Sequence, residues 1–198
     1  MFVTFEGVDW SGKSTQAGLL ADWLTEQGRT VLRTREPGGT PVAEAVRDVV
    51  LHGHDMSAWA EAALYAAARA DHVALAIRPT LELGDDVVCD RYIDSSVAYQ
   101  GIARGLGKER VLELNLTVTE GLLPDRTFLV LLDPEHARRR GAGRPDRIER
   151  EGEGFMRLVD EAFRSLAAEN PERIVTVDGS APRHEIAKEV REHVRALL

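Results

Sequence analysis

Eight consecutive residues near the start of the chain have the types and spacing of a phosphate-binding loop. Residues 7–14 read GVDWSGKS and match the pattern G-x-x-x-x-G-K-[ST] in full. Glycines let successive backbone N–H groups converge on phosphate oxygens, and a following helix presents its positive end to the same anion. We expect Lys13 to bridge the β- and γ-phosphates of a nucleoside triphosphate and the Ser14 hydroxyl to bind Mg²⁺. The triphosphate contacts predicted here are Gly7, Val8, Asp9, Trp10, Ser11, Gly12, Lys13, Ser14 and Thr15.

A second acidic residue is expected to support the same metal ion. An apolar run that is typical of a strand ends at Asp90. The carboxyl end of a strand beside a phosphate loop is a place where a carboxylate can hold the water shell of Mg²⁺. Ser14 and Asp90 are therefore the predicted metal residues. The guanine-reading segment N-K-x-D of switch GTPases does not occur in the sequence, which argues against that class.

An arginine-rich segment follows later in the chain. Residues 138–150 contain six arginines, at positions 138, 139, 140, 144, 147 and 150, and two acids, for a net charge of +4. A mobile lid of this charge can close over a triphosphate, exclude water and stabilise a phosphoryl group in transfer. The alternative is a solvated helix end whose arginines pair with Glu149 and Glu151.

These residues are positioned by alternating strands and helices. Strands are predicted at 2–6, 30–34, 87–89, 127–132 and 174–177. Helices are predicted before Gly28, over 42–51, from Ser57 until Pro79 kinks or ends the helix, and near 93–103, 107–121, 151–168 and 182–197. Such alternation indicates an α/β fold of three layers, a sheet of about five parallel strands with helices on both faces. Together with the phosphate-loop motif, this arrangement resembles the P-loop NTPase fold. Ligands of such sheets bind beyond the carboxyl ends of the strands.

The composition limits the class of protein. The chain has 198 residues, 43% hydrophobic and 29% charged, which is typical of one globular domain over 1–198 with a lid at about 134–150. A net charge of −8 argues against generic nucleic-acid binding. The lone Cys89 cannot form an internal disulfide and suits a reducing compartment. With no apolar run near the ~18 residues of a membrane span, we expect a cytoplasmic protein without a membrane partner.

Three further segments resemble a known enzyme family. Residues 90–101, DRYIDSSVAYQG, resemble a signature of thymidylate kinases, which transfer the γ-phosphoryl group of ATP to dTMP. Residues 34–40, TREPGGT, and residues 146–149, DRIE, are similar to two other segments of that family. With the phosphate loop, the four matches occur in the expected order over residues 7–149. The resemblance implies ATP and dTMP as substrates, Mg²⁺ as cofactor and a homodimer.

The resemblance also implies roles in an acceptor site. Arg91 would hold the acceptor phosphate, a task that suits a bidentate guanidinium. Tyr65 and Arg69, four residues apart on a predicted helix, would stack on thymine and bond its exocyclic oxygen. Tyr99 would crowd the sugar against a 2′-hydroxyl, and Asp9 would contact the 3′-hydroxyl. The substrate contacts implied in this way are Asp9, Glu36, Tyr65, Arg69, Arg91, Ser96, Tyr99 and Gln100.

Thymidylate kinases differ in where they carry a further basic residue, either in the phosphate loop or in the lid. Trp10 stands at the loop position and carries no charge, so the resemblance implies the lid type, with Arg140 and Arg144 as first choices. Arg138 or Arg139 would flank adenine. The predicted catalytic residues are Lys13, Arg91, Arg140 and Arg144. No physical reason for a tryptophan in this loop is visible in the sequence.

Two other functions fit parts of the pattern. A P-loop kinase for another nucleotide or for a nucleoside would share the phosphate loop and the lid. A non-catalytic module that binds ATP and regulates a partner would share only the loop, and it would leave residues 90–92 and the lid arginines without a role. Acceptor-dependent release of ADP separates these alternatives.

Overall fold

Five strands form one parallel sheet in the computed structural model, which describes residues 1–141 and 146–198. The strands are β1 (Phe2–Glu6), β2 (Val31–Arg35), β3 (Asp86–Asp90), β4 (Arg126–Leu131) and β5 (Ile174–Asp178). Their order across the sheet is β2-β3-β1-β4-β5, and every neighbouring pair is parallel. The predicted α/β fold with five parallel strands is confirmed, and each predicted strand overlaps an observed one.

Helices connect the strands. They are α1 (Lys13–Glu26), α2 (Pro41–His52), α3 (Ala58–His72), α4 (Arg78–Glu82), α5 (Ile93–Ser96), α6 (Lys108–Val118), α7 (Pro134–Arg140), α8 (Glu153–Glu169) and α9 (Arg183–Arg195). Two π-helical segments, Val73–Ile77 and Val97–Ala103, continue α3 and α5, and a 3₁₀ turn covers Glu149–Glu151. Within the described residues, no helix combines the length and the apolar character that a membrane crossing requires.

Helices cover both faces of the sheet, as predicted. Successive side chains of a strand point to opposite faces, so each face carries side chains that a layer of helices can bury. Val3 and Phe5 of β1 pack in a core cluster with α1 and α9. Phe2 lies in the other cluster, which includes the 97–103 segment and α8, and its ring meets that of Tyr92 edge-on at 5.0 Å between centroids. Glu6 lies two positions after Thr4 on β1, so its side chain points to the same face as those of Phe2 and Thr4, and it is fully buried. The central strand is therefore enclosed from both sides.

The helix predicted from Ser57, which Pro79 is predicted to kink or end, changes its helical form just before this proline and runs on to Glu82. The α-helix ends at His72, the π-helical segment Val73–Ile77 follows, and α4 then begins with Pro79 in its first turn. Proline has no N–H, and its ring conflicts with a carbonyl four residues earlier in an α-helix. The wider π turn before Pro79 accommodates this conflict, so the helical path is altered and not terminated.

Candidate functional site

The phosphate loop, residues 7–14, runs from the end of β1 into α1. Gly7 has φ +136°, and a Cβ at this position would lie 2.6 Å from the carbonyl oxygen of Val130 on β4. A side chain is therefore excluded there for steric reasons. Gly12, with φ +105°, directly precedes α1. The loop thus curls at the amino-terminal end of a helix of 14 residues, where unbonded N–H groups and the helix dipole favour an anion.

Lys13 lies buried along this loop. Its Nζ donates to the carbonyl oxygen of Val8 at 3.2 Å and to Asp9 Oδ1 at 3.4 Å. Burial lowers the Lys13 pKa, the nearby Arg91 lowers it further, and Asp9 opposes both. The ammonium group is thus held at the loop by weak, long contacts that phosphate oxygens can replace.

Ser14 and Asp90 meet beside the loop, as a shared metal site requires. Ser14 Oγ donates a hydrogen bond to Asp90 Oδ2, although the two residues lie on different elements. The other carboxylate oxygen, Asp90 Oδ1, is buried and has no hydrogen-bond partner among the described residues. A hydroxyl and a carboxylate with an unused oxygen are hard donors that suit Mg²⁺, which is held in proteins by few side chains together with substrate phosphates and water. The residues present therefore fit the metal ion.

Arg91 and Asp9 join the phosphate loop to the neighbouring strand end. Arg91 follows β3 in a left-handed conformation with φ +71°. Its Nη2 donates to Asp9 Oδ1 at 2.7 Å, its Nη1 donates to Ser95 Oγ at 3.0 Å, and its guanidinium carbon lies 5.3 Å from the centre of the Tyr99 ring. Burial alone would raise the Asp9 pKa, but Arg91 and Lys13 overcome this effect and hold that pKa below its usual range. Asp9 is therefore ionised at neutral pH.

A cavity opens beside Arg91, beyond the carboxyl ends of β1, β2 and β3 and against α2 and α3. All eight predicted substrate contacts line it: Asp9, Glu36, Tyr65, Arg69, Arg91, Ser96, Tyr99 and Gln100. Sequence reasoning missed the remaining lining residues, which are Pro37, Arg47, Leu51, Ser95, Asp146 and Ile148. The fold thus brings the predicted residues together, and their roles toward a ligand stay predictions.

Arg69 is held rigidly at the inner wall of this cavity and is only 2% exposed. Its guanidinium donates to Glu36 Oε2 at 2.7 Å, Ser96 Oγ at 2.9 Å, the Tyr92 carbonyl oxygen at 3.0 Å, and Asn115 Oδ1. The second Glu36 oxygen lies 3.0 Å from Nδ1 of the buried His72. Glu36 therefore orients Arg69, and one guanidinium N–H is left over after the bonds to the described residues. Asn115 gave no signal in the sequence.

Comparison with known proteins decides the family. The family profile described as Thymidylate kinase matches residues 5–190. The chain belongs to the thymidylate kinase family. It is 53% identical to a thymidylate kinase of Leifsonia xyli subsp. xyli over 96% of this chain and 92% of the relative. It is 48% identical to one from Clavibacter sepedonicus over 100% of this chain and 96% of the relative.

A solved structure supports the same conclusion. The crystal structure of thymidylate kinase from Ehrlichia chaffeensis superposes with a TM-score of 0.82 at 33% identity and covers 98% of both chains. The family, the fold and the kinase class predicted from the sequence are thus confirmed.

A buried cluster around Glu61 connects the family's DRIE segment to the acceptor cavity. Glu61 is 1% exposed and accepts hydrogen bonds from Arg147 Nη2 at 2.7 Å, Arg104 Nη2 at 3.0 Å and Gln100 Nε2 at 2.9 Å. Burial would raise the Glu61 pKa, but these three donors hold it below its usual value. Arg147 also donates from Nε to the carbonyl oxygen of Val50 at 2.8 Å. Arg147, near the carboxyl end of the lid, is therefore anchored to α2 and α3, a connection not visible in the sequence.

The described lid arginines contact the protein itself. Arg138 pairs with Glu153 at 2.8 Å and Arg139 with Glu135 at 2.5 Å, and both arginines are more than 60% exposed. Arg140 Nη1 donates to the carbonyl oxygen of Gly179 at 3.1 Å. Arg144 lies outside the described residues. The structure therefore brings none of Arg138, Arg139 and Arg140 into the acceptor cavity, whereas Arg138 lines a second cavity that the phosphate loop also borders. Their roles toward a nucleotide stay predictions.

Trp10 has a structural role that the sequence did not reveal. Its indole Nε1 donates to Glu149 Oε1 at 3.0 Å, and a Cβ on Gly141 would lie 2.9 Å from the same nitrogen. Gly141 and Glu149 both belong to the lid at about 134–150, whereas Trp10 is in the phosphate loop. The indole therefore connects the loop to the lid. The signal available in the sequence was only that a large aromatic residue occupies a loop rich in glycine.

Proposed function

We propose that the chain transfers the γ-phosphoryl group of ATP to dTMP with Mg²⁺, giving ADP and dTDP. One observation carries this proposal. A single cavity collects all eight residues that resemble the family's acceptor contacts, and Asp9 and Arg91 lie where that cavity meets the phosphate loop. An acceptor phosphate bound by Arg91 would therefore face the end of a triphosphate held by the loop.

The residues of the two sites divide the work of the transfer. Loop N–H groups, the α1 terminus and Lys13 hold the triphosphate, and Ser14 and Asp90 would hold Mg²⁺, which neutralises charge on the phosphates. Arg91 fixes the acceptor phosphate so that one of its oxygens attacks the γ-phosphorus as the bond to the ADP oxygen breaks. The attacking group is already an anion, so no strong general base is needed. The arginines of the lid, Arg140 and Arg144 first among them, supply positive charge on closure.

The cavity walls account for the choice of acceptor. Tyr65 and the free N–H of Arg69 face the base, and burial raises the Tyr65 pKa, so its phenol stays neutral and available as a donor. Ser96 and Gln100 contribute polar atoms at the same wall, and Tyr99 restricts the sugar. Asp9 Oδ2 makes no hydrogen bond to the described residues and can accept one from a 3′-hydroxyl.

An acceptor panel tests the proposal. ADP release from ATP and Mg²⁺ is measured by a coupled assay with dTMP, dGMP, AMP or UMP as acceptor. We expect turnover to require dTMP and to exceed that with each other acceptor by more than tenfold, since loss of matched hydrogen bonds is strongly selective. Equal or faster turnover with AMP or UMP would assign the chain another nucleotide substrate. ATP binding without ADP release for any acceptor would favour a regulatory module.

We also propose that the chain forms a homodimer through α3. Trp59 is 38% exposed, and the exposed side chains Ala60, Ala63 and Ala67 on the same helix are small, so a second helix can approach closely. Light scattering after gel filtration should give about twice the mass of 21.8 kDa, and Ala63→Glu should give the monomer mass. A wild-type mass of one chain would contradict the proposal.

The remaining assignments are proposals as well. We treat residues 1–198 as one kinase domain with a lid at about 134–150, supported by the single sheet that β1 to β5 form. A reduced, buried Cys89 and the use of ATP suit the cytoplasm. The net charge of −8 disfavours nucleic acid as a partner.

A further inference from the structure

Glu6 is a buried carboxylate that the proposed phosphate-transfer steps leave without a role. It is 0% exposed and ends β1, directly before the phosphate loop. Its Oε1 accepts from the backbone N–H of Tyr92 at 2.7 Å and of Ser95 at 3.2 Å, and its Oε2 accepts from the Ser95 hydroxyl at 2.5 Å. Three donors therefore converge on one carboxylate that does not itself line the acceptor cavity.

Two of these donors, the Ser95 hydroxyl and the Tyr92 N–H, are linked to Arg91. The Ser95 hydroxyl gives its single hydrogen to Glu6, which leaves its oxygen to accept from Arg91 Nη1 at 3.0 Å. Tyr92 directly follows Arg91, whose φ of +71° is unfavourable for a residue with a side chain. The bond from Tyr92 N–H to Glu6 holds the chain just after that unfavourable conformation. Glu6 therefore acts on both the backbone and the guanidinium of Arg91.

We propose that Glu6 is a positioning residue for Arg91: through Ser95 and the Tyr92 N–H, its carboxylate fixes the direction in which the guanidinium meets the acceptor phosphate. This proposal rests on the proposed function, because it assigns Arg91 the acceptor phosphate. It predicts that loss of the carboxylate weakens dTMP use without weakening ATP binding. A purely structural carboxylate would affect both substrates alike.

The groups around Glu6 predict that the use of dTMP depends on pH. The titratable and charged groups that face it are Asp94 on α5, Arg91 and Tyr92 after β3, Cys89 on β3, and Arg173 before β5. Burial raises the Glu6 pKa to about 7, Asp94 raises it as well, and Arg91 and the hydrogen bonds from Ser95 and Tyr92 oppose this rise. The N–H groups of Tyr92 and Ser95 can only donate, so a protonated Glu6 would have to turn its O–H toward Ser95 Oγ, and the present bond from the Ser95 hydroxyl to Glu6 would be lost. The kcat/KM for dTMP should therefore fall as the pH drops through about 7.

The test compares Glu6→Gln, Glu6→Asp and Ser95→Ala with the wild type, all as full chains. For Glu6→Gln we expect the KM for dTMP to rise about tenfold, the size of one lost hydrogen bond of ~1.4 kcal/mol, with the KM for ATP unchanged. Ser95→Ala should give a similar rise, and adding Glu6→Gln to it should give less than the product of the two effects. Glu6→Asp, which keeps the charge, should recover part of the dTMP affinity. The phosphate of dTMP titrates near pH 6 in the wild type and in every variant. The part of the fall in kcat/KM at low pH that is due to Glu6 is therefore the part that the wild type shows and Glu6→Gln does not.

Asp86 supplies a matched control. It is a carboxylate with 0% exposure at the opposite end of β3, paired with Arg29 and the chain amino terminus. Asp86→Asn should lower thermal stability and leave the KM for dTMP and the pH profile as in the wild type. Equal changes in both KM values, an unchanged profile in Glu6→Gln, or additive effects with Ser95→Ala would overturn the positioning role.

A readout without turnover separates this proposal from the proposed function. The guanidinium ¹⁵N–¹H spectrum of the ligand-free enzyme should include a signal from Arg91, because its hydrogen bonds slow the exchange of these protons with water. The signal is assigned by its absence in Arg91→Lys. We expect that signal to broaden or vanish in both Glu6→Gln and Ser95→Ala. An unchanged signal would refute the positioning role even if the wild type showed no turnover with dTMP, and that lack of turnover would refute only the proposed function.

Discussion

Replacing Arg91 by lysine separates the geometry of this side chain from its charge. The guanidinium donates from Nη2 to Asp9 at 2.7 Å and from Nη1 to Ser95 at 3.0 Å, and its side chain is 15% exposed. Lysine keeps the positive charge that ionised Asp9 requires. It offers one ammonium on a flexible stem, which cannot reproduce a planar fork. The substitution therefore keeps the net charge of the site and removes the second of two hydrogen bonds that would align the acceptor phosphate.

The expected loss follows from the bonds that the fork makes. A hydrogen bond to a charged partner contributes about 1.5–3 kcal/mol, so losing one of two such bonds to the acceptor phosphate corresponds to a factor of about 10–150. Because Arg91 is largely buried, solvent screening reduces this figure little. We expect kcat/KM for dTMP to fall by about 10- to 100-fold, with the KM for ATP within about twofold of wild type.

Steady-state kinetics with varied dTMP at saturating ATP measures this effect. Arg164→Lys is the matched control, because Arg164 forms an ion pair with Asp160 on α8 and its side chain is 51% exposed. Such a surface pair contributes little, so its kinetics should equal those of the wild type. A kcat/KM for dTMP within twofold of wild type in Arg91→Lys would refute the two-point contact to the acceptor phosphate.

Three further predictions concern the metal, the lid and stability. Asp90→Asn should raise the Mg²⁺ concentration for half-maximal activity about tenfold, because the neutral amide is a weaker ligand, while the KM for dTMP changes little. Trp10→Phe removes the indole that bonds Glu149 in the lid. If this indole reports ATP binding, a change in tryptophan fluorescence on adding ATP should be present in the wild type and absent from the variant. Arg147→Met breaks a buried ion pair with Glu61, which keeps its other arginine partner. We therefore expect the free energy of unfolding to fall by about 2–3 kcal/mol and the Tm to fall by about 4–12 °C.

Each of these predictions has a contradicting result. An unchanged Mg²⁺ titration would remove Asp90 from the metal site. A full fluorescence change in Trp10→Phe would assign the signal to Trp23 or Trp59. A Tm within 1 °C of wild type in Arg147→Met would show that the anchor of the DRIE segment contributes nothing measurable to folding.

The sequence was sufficient for the features that short-range geometry controls. A strand, the pattern G-x-x-x-x-G-K-[ST] and a helix in succession indicate a phosphate loop from sequence alone, because glycine conformation and helix ends are local properties. Alternating strands and helices likewise imply a parallel sheet, whose carboxyl ends meet at one edge. Asp90 and Arg91 could be placed near Lys13 on these grounds, since Asp90 is the last residue of a strand that ends at that edge and Arg91 follows it.

Only the tertiary structure decided which side chains support these residues. Glu6 and Ser95 are 89 positions apart, Glu61 and Arg147 are 86 apart, and Trp10 and Glu149 are 139 apart. No periodicity links such pairs, because their meeting depends on how loops and helices pack after the sheet has formed. A buried polar group must find a partner wherever the packing leaves one. The chain thus encodes its phosphate loop in consecutive residues, whereas the orientation of its arginines is settled by contacts between distant segments.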